Sequence, residues 1–222
     1  MKLVQLAQIA FIVVASVAVY AFVRASQSDY RYTSCQALCQ LSPNYAGMDR
    51  KVPDFTLTDL NGTPVAFSSY LGKGPIVLNF WTRTCKPCLE EMPELAAMTK
   101  ILEKRGVKVV TISTDDGPDD VRDTLAVLFG DEGPPFPVLF DPDMEVVTDM
   151  FGTTLFPETW LLDGQGVIRA RIDGNPAEVR GMTWTDPIPL EVVEMIGRPG
   201  GCPVDFRAAK PVGPHAVLCG EE

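Results

Sequence analysis

The feature that most limits what this chain can become is the apolar run Ile76-Val-Leu-Asn-Phe-Trp81, followed after a short polar turn by Cys85-Lys-Pro-Cys88. A continuous apolar run of this length reads as a strand buried on both faces, the kind found at the centre of parallel sheets. The residues after it predict a helix that begins near Cys85 and runs towards Arg105, with Leu89, Met92, Leu95, Ala96, Met98, Ile101 and Leu102 on its apolar side and Gly106 at its end. A Cys-x-x-Cys at such a junction has a chemical purpose. Unsatisfied N–H groups and the positive end of the helix dipole stabilise a thiolate on the first Cys. The second Cys lies one turn further on and can resolve the mixed disulfide that the first one forms. Lys86 adds a cation nearby, and Pro87 suits the first turn, where its missing N–H costs little. A zinc site is a poor alternative, because it needs four ligands and the only histidine, His215, is near the C-terminus. A purely structural disulfide would gain nothing from the strand-to-helix setting.

Elements on either side extend the pattern. Phe55 to Thr58 and Val65 to Phe67 flank Asn61-Gly62, a strong two-residue turn signal, and predict an N-terminal β-hairpin. Val107 to Ile112 and Val138 to Phe140 read as buried strands, Asp119 to Phe129 and Met144 to Phe151 as helices. Thr159 to Leu162 and Val167 to Ile172 flank Gly164-Gln-Gly166 as a second hairpin, and Leu190 to Ile196 closes as a helix. Crossover units combined with hairpin strands imply an α/β fold, a central mixed β-sheet with helices on both faces. Residues 51–198 form this domain. The chain has 222 residues, 46% of them apolar, enough for one domain with a real core plus appendages. Its formal charge of −10 argues against nucleic acid as a partner.

Leu3 to Val23 is interrupted only by Gln5, Gln8 and Ser16. At about 1.5 Å per residue such a helix reaches across a hydrocarbon core of roughly 30 Å. Residues 1–24 therefore read as a retained N-terminal transmembrane helix. A cleaved signal peptide is the alternative, though its apolar region is usually about 7–15 residues and Val23-Arg24-Ala25 is a poor cleavage site. Residues 25–50 read as a tether carrying Cys35 and Cys39, and residues 199–222 as a tail carrying Cys202 and Cys219. These four are candidates for structural disulfides, and three connectivities are open to them. Persistent disulfides place the domain on the oxidising, extracytoplasmic (periplasmic) side.

Four motifs, Pro53 to Gly62, Trp81 to Pro93, Phe136 to Asp141 and Phe156 to Gly166, resemble in order and spacing the membrane-anchored TlpA/ResA-like thiol–disulfide oxidoreductases of the thioredoxin superfamily. The resemblance covers about Val52 to Ile196. It implies a thioredoxin-like fold with Cys85 as the exposed nucleophile and Cys88 as the buried resolving thiol. It also implies Glu91 as a carboxylate able to move protons at Cys88, since i and i+3 share a helix face. Glu90 lies on a different face. Pro157 matches the family's cis-proline, and Phe156, Pro157, Trp81 and Pro87 are the implied substrate-binding residues, where an extended segment pairs by main-chain hydrogen bonds. Two residues depart from the pattern. Thr84 stands where relatives often carry Trp, and Phe156 where many carry a small residue.

The expected function is an enzyme that exchanges disulfides with protein partners, acting as a reductase fed by a transmembrane thiol donor, with no cofactor and no metal. Pro157-Glu158-Thr159 resembles the cytochrome c branch of the family. Two alternatives remain. One is a thiol peroxidase, although its usual signature wants Pro where Leu78 stands. The other is a membrane-tethered module that binds apocytochrome, or copper through Cys35, Cys39, His215 and nearby Met residues.

Overall fold

The computed structural model describes residue 5, residues 8–23 and residues 50–196. Cys35, Cys39, Cys202, Cys219 and His215, with most of the predicted tether and the tail, lie outside the described residues. Residues 8–23 form helix α1, whose large apolar side chains, among them Phe11, Ile12, Val14 and Phe22, are exposed. Among the described residues no helix is long and apolar enough to cross a membrane. The predicted span starts at Leu3, outside the continuous described stretch.

The domain opens with β1 (Thr56–Asp59) and β2 (Pro64–Ala66), paired antiparallel across the Asn61-Gly62 turn. Asp59 Oδ1 accepts from Asn61 N and Thr63 N, both at 2.8 Å, which closes the turn that the dipeptide predicts. Strand β3 (Ile76–Trp81) leads into helix α2 (Lys86–Leu102). Then come β4 (Lys108–Ser113), α3 (Pro118–Phe129), β5 (Val138–Phe140), β6 (Glu158–Leu162), β7 (Ile168–Asp173), α4 (Pro176–Arg180) and α5 (Pro187–Ile196). One seven-stranded sheet results, in the order β2-β1-β5-β4-β3-β6-β7. It is mixed: β3, β4 and β5 run parallel, while β6 is antiparallel to β3 and β1 to β5.

Every residue of β3 is buried, because it is paired on both edges and covered on both faces. Val77, Trp81, Val109, Val138 and Leu161 pack with Met92, Leu95 and Met98 of α2, Val121 and Leu125 of α3, and Val192 and Val193 of α5. Ile76, Leu78, Phe80, Ile112 and Trp160 form a second core with Phe55, Phe67, Val146, Val147 and Phe151. The expected covering of both faces is met unequally. Three α-helices pack on one face, and the other is closed by the segment before β1, a 3₁₀ turn at Phe67–Tyr70 and a π-helical turn at Glu145–Met150. The segment read as an α-helix from Met144 to Phe151 is therefore wound more widely. Asp141 Oδ2 accepts from both Val146 N (2.9 Å) and Val147 N (2.7 Å) and holds the start of that turn. Helix α4 was not expected from the sequence pattern. Its N-cap is Asn175, whose Oδ1 accepts from Ala177 N at 3.0 Å.

The loops that enter β3 and β4 touch at glycines. Gly74 has φ +132°, and a Cβ there would lie 2.3 Å from Gly106 O, whereas a Cβ on Gly62 (φ +74°) meets nothing within 4 Å. Both positions disfavour a side chain, but only Gly74 adds a collision with backbone. Gly74→Ala is expected to lower unfolding free energy by about 2 kcal/mol more than Gly62→Ala. Urea melts of the two variants at one pH measure that difference.

Candidate active site

The chemistry of the junction follows from where β3 stops. Beyond Trp81 the chain turns, with Cys85 N donating to Thr82 O at 3.0 Å, and Cys85 becomes the N-cap of α2. Its Sγ accepts from Cys88 N at 3.2 Å, so the sulfur occupies the place a capping oxygen usually takes. Cys85 and Cys88 are joined in a disulfide. Cys85 is half-buried and Cys88 is fully buried, which gives the two sulfurs unequal access to a partner. Pro87 sits at the second helical position, where its missing N–H leaves no bond unmade.

Asp115 locks the turn ahead of Cys85. Its carboxylate accepts from Thr82 Oγ1 (2.8 Å), Arg83 N (2.9 Å) and Ser113 Oγ (2.7 Å), and the Arg83 guanidinium approaches it at 3.6 Å while pairing with Asp120 at 3.1 Å. The turn that carries Cys85 is thus tied to the end of β4. Lys86 is placed otherwise than the sequence suggests. Its ammonium pairs with Glu90 one turn along the exposed face, and this hydrogen bond raises its pKa. Its charge is directed to that carboxylate, and Glu90 stands on the solvent side of α2.

Glu91 is the opposite case, a carboxyl only 1% exposed. Asn79 Nδ2 donates to its Oε1 at 2.8 Å, and Trp184 Nε1 donates to its Oε2 at 3.1 Å. Asn79 also donates to Thr159 Oγ1 on β6 at 2.9 Å. Burial penalises the charged form and pushes the Glu91 pKa up to about 7, against the pull of the two hydrogen bonds. A group poised there can take or give a proton near neutral pH. It lies on the same face of α2 as Cys88, three residues away, which is the placement expected from the spacing.

The Phe156–Pro157 peptide is cis. Pro157 is buried and Phe156 partly so, packed against the core that holds Cys88, as Cys85 and Leu89 also are. Leu155 beside them is 78% exposed. One expected substrate-binding residue is misplaced. Trp81 is fully buried and supports the site from beneath, so it offers no surface to a partner. Sequence reasoning also missed Asn79, Asp115 and Trp184. A polar residue inside the apolar run was a visible signal for Asn79. Nothing local marks Trp184, which lies 93 positions from the carboxyl it touches.

A redox-active Cys pair at the start of a helix, on a thioredoxin-like sheet, defines the class as a thiol–disulfide oxidoreductase. A family profile, AhpC/TSA, matches residues 48–171, and the chain belongs to that family. It is similar to the thiol-disulfide oxidoreductase ResA of Geobacillus thermodenitrificans (strain NG80-2), 34% identical over 123 residues, which is 55% of this chain and 67% of the relative. ResA of Bacillus subtilis (strain 168) is 31% identical over 126 residues, 57% of this chain and 67% of that one. Among solved structures, a protein described as the thiol:disulfide interchange protein DsbE from Chlorobium tepidum superposes with a TM-score of 0.53 at 27% identity, over 60% of this chain and 91% of that chain.

The raised pKa of Glu91 makes stability depend on pH. In the folded state the carboxyl keeps its proton up to about 7, whereas its ordinary value is 4.5. Between these values unfolding releases a proton, so this contribution is fully present below 4.5, falls as pH rises, and is lost above about 7. Relative to Glu91→Gln, the wild type is expected to lose about 3 kcal/mol across that window. Urea unfolding of the oxidised proteins at several pH values measures it; parallel curves would show that Glu91 titrates normally.

Proposed function

We propose that this enzyme reduces disulfides of protein partners outside the cytoplasm, with Cys85 as the attacking sulfur, Cys88 as the resolving sulfur and Glu91 as the proton acceptor for Cys88. The observation that carries this reading is the unequal exposure of the two sulfurs, with a buried carboxyl on the face of α2 that bears the inner one. In the reduced enzyme the Cys85 thiolate, stabilised by the helix start and the Cys88 N–H, attacks one sulfur of a partner's disulfide. That S–S bond breaks, a mixed disulfide forms, and the departing sulfur leaves as a thiolate and takes a proton from water. Cys88 then gives its proton to the Glu91 carboxylate and attacks Cys85 Sγ. The second partner sulfur leaves, and the Cys85–Cys88 disulfide remains. The partner has gained two electrons, and a membrane thiol donor returns two to the enzyme by the same exchange in reverse.

Docking falls to the rim made by Pro87 and Phe156, with the buried cis-Pro157 holding the Phe156 backbone in place, where an extended segment can add main-chain hydrogen bonds. The Pro157-Glu158-Thr159 continuation favours an apocytochrome as the partner class. The apolar run Leu3 to Val23 and the exposed apolar side chains of α1 favour a membrane anchor that holds the domain outside the cytoplasm.

Cys85→Ser is expected to abolish disulfide exchange, whereas Cys88→Ser should leave Cys85 able to capture partners as stable mixed disulfides, seen on non-reducing gels. Capture by the Cys85→Ser variant alone would reverse the assignment. With a regenerating dithiol donor, Glu91→Gln should slow exchange at pH 7 about 10- to 100-fold, and Glu90→Gln less than twofold. Equal effects would remove Glu91 from the mechanism, and consumption of peroxide in place of disulfide would favour the peroxidase.

A further inference from the structure

The segment after β7 is tied to the redox site at four points. Gly174 N donates to Pro157 O at 2.9 Å. Asn175 Nδ2 donates to Pro87 O at 3.3 Å, Trp184 Nε1 to Glu91 Oε2 at 3.1 Å, and Thr185 Oγ1 to Glu94 Oε2 at 2.8 Å. Residues 174–186 therefore run as a strap from the cis-proline loop along the first three turns of α2. Trp184 is 1% exposed, and its ring packs in the same core as Cys88 and Met92. The strap lies beyond residues 48–171, the part of the chain that matches the family.

We propose that Trp184 is a positioning residue of the redox centre: its indole N–H orients the Glu91 carboxyl beneath Cys88 and stabilises the ionised form. The inference rests on the reading of Glu91 as proton acceptor and adds what sets its ionisation. Two neutral donors, Asn79 and Trp184, meet the two carboxylate oxygens, and burial and these two hydrogen bonds set the Glu91 shift. Among the described side chains, these ionisable groups of the surrounding elements have other partners. On α2, Glu94 accepts from Thr185. On the strap, Asp186 accepts from Thr183 N at 2.7 Å, and Glu178 interacts with Lys86. Glu194 of α5 pairs with Arg105. Glu158 of β6 pairs with Arg171 of β7 next to Trp160, in the core on the other face of the sheet. Cys88 is the ionisable group left on Glu91's own face, and in the oxidised protein it does not titrate. A hydrogen bond given to a carboxylate holds its pKa down, so loss of the indole N–H lets Glu91 keep its proton to higher pH.

The test uses the oxidised full-length chain in detergent, with the indole N–H resonances followed by NMR from pH 5 to 9. The chain has three tryptophans. One indole is expected to titrate with a midpoint near 7 and to become flat in Glu91→Gln, while any response of Trp160 to its neighbour Glu158 persists in that variant. In the exchange assay, Trp184→Phe should move the inflection that Glu91→Gln abolishes upward by about one pH unit, with the limiting rate at high pH retained. A Trp184 indole, assigned as the resonance lost in Trp184→Phe, that stays flat in the wild type or still titrates after Glu91→Gln overturns the proposal, as does an unmoved inflection in Trp184→Phe. Should Glu91→Gln slow exchange while no indole titrates, the role of Glu91 stands and that of Trp184 falls. Should the indole titrate while Glu91→Gln exchanges at the wild-type rate, Trp184 sets the ionisation of a carboxyl that catalysis does not use.

Discussion

The carboxyl of Glu91 lies out of water between α2 and β3, and the geometry around the cysteine pair is organised by the need to satisfy it. An isolated carboxylate in an apolar interior costs several kcal/mol, far more than a domain of this size can tolerate without compensation. Asn79 and Trp184 supply one donor to each oxygen, which offsets part of that cost. The remainder appears as a pKa pushed up to about 7. A buried group that is neither firmly ionised nor firmly neutral is wasteful as structure and useful as a proton relay. It shares its face of α2 with the buried Cys88, three residues away.

The sheet makes this arrangement possible. Because β3 is paired on both edges, its residues have no freedom to shift, and the alternation along it sends Val77, Asn79 and Trp81 to the face that α2 covers. Asn79 lies opposite Thr159 of β6, so the second donation from its amide is set by strand register. The same rigidity delivers the chain to Cys85, where the Asp115 carboxylate fastens the intervening turn to the end of β4. Cys85 thus stands at a helix start whose position is fixed from two strands.

Charge around the site is kept local. In a chain with a net charge of −10, the cations nearest the cysteines are each matched by a neighbouring carboxylate, Arg83 by Asp115 and Asp120, Lys86 by Glu90. The polar partner that Cys85 Sγ has is the Cys88 N–H at the helix start, while the neighbouring cations are taken up by carboxylates. The place of Lys86 next to Cys85 in the sequence does not by itself fix where its charge goes, because an i,i+4 carboxylate on its own helix pairs with the ammonium.

Much of this was written in the residue order. The buried run before Cys85, the Asn61-Gly62 turn, the cysteine spacing and the i,i+3 relation of Cys88 to Glu91 are short-range features, set by neighbours within one turn or one hairpin, so they can be read without knowing the fold. The exposed position of Glu90 was legible for the same reason. The winding of Glu145–Met150, the burial of Trp81, the lock at Asp115 and the reach of Trp184 to Glu91 were not. Each depends on which strands become neighbours, and a hydrogen bond across 93 positions exists only once β3, β6 and β7 have paired and carried the following segment back over α2. Local chemistry placed the two sulfurs; the folded sheet chose the groups that meet the Glu91 carboxyl, because only it brings distant donors to a buried oxygen.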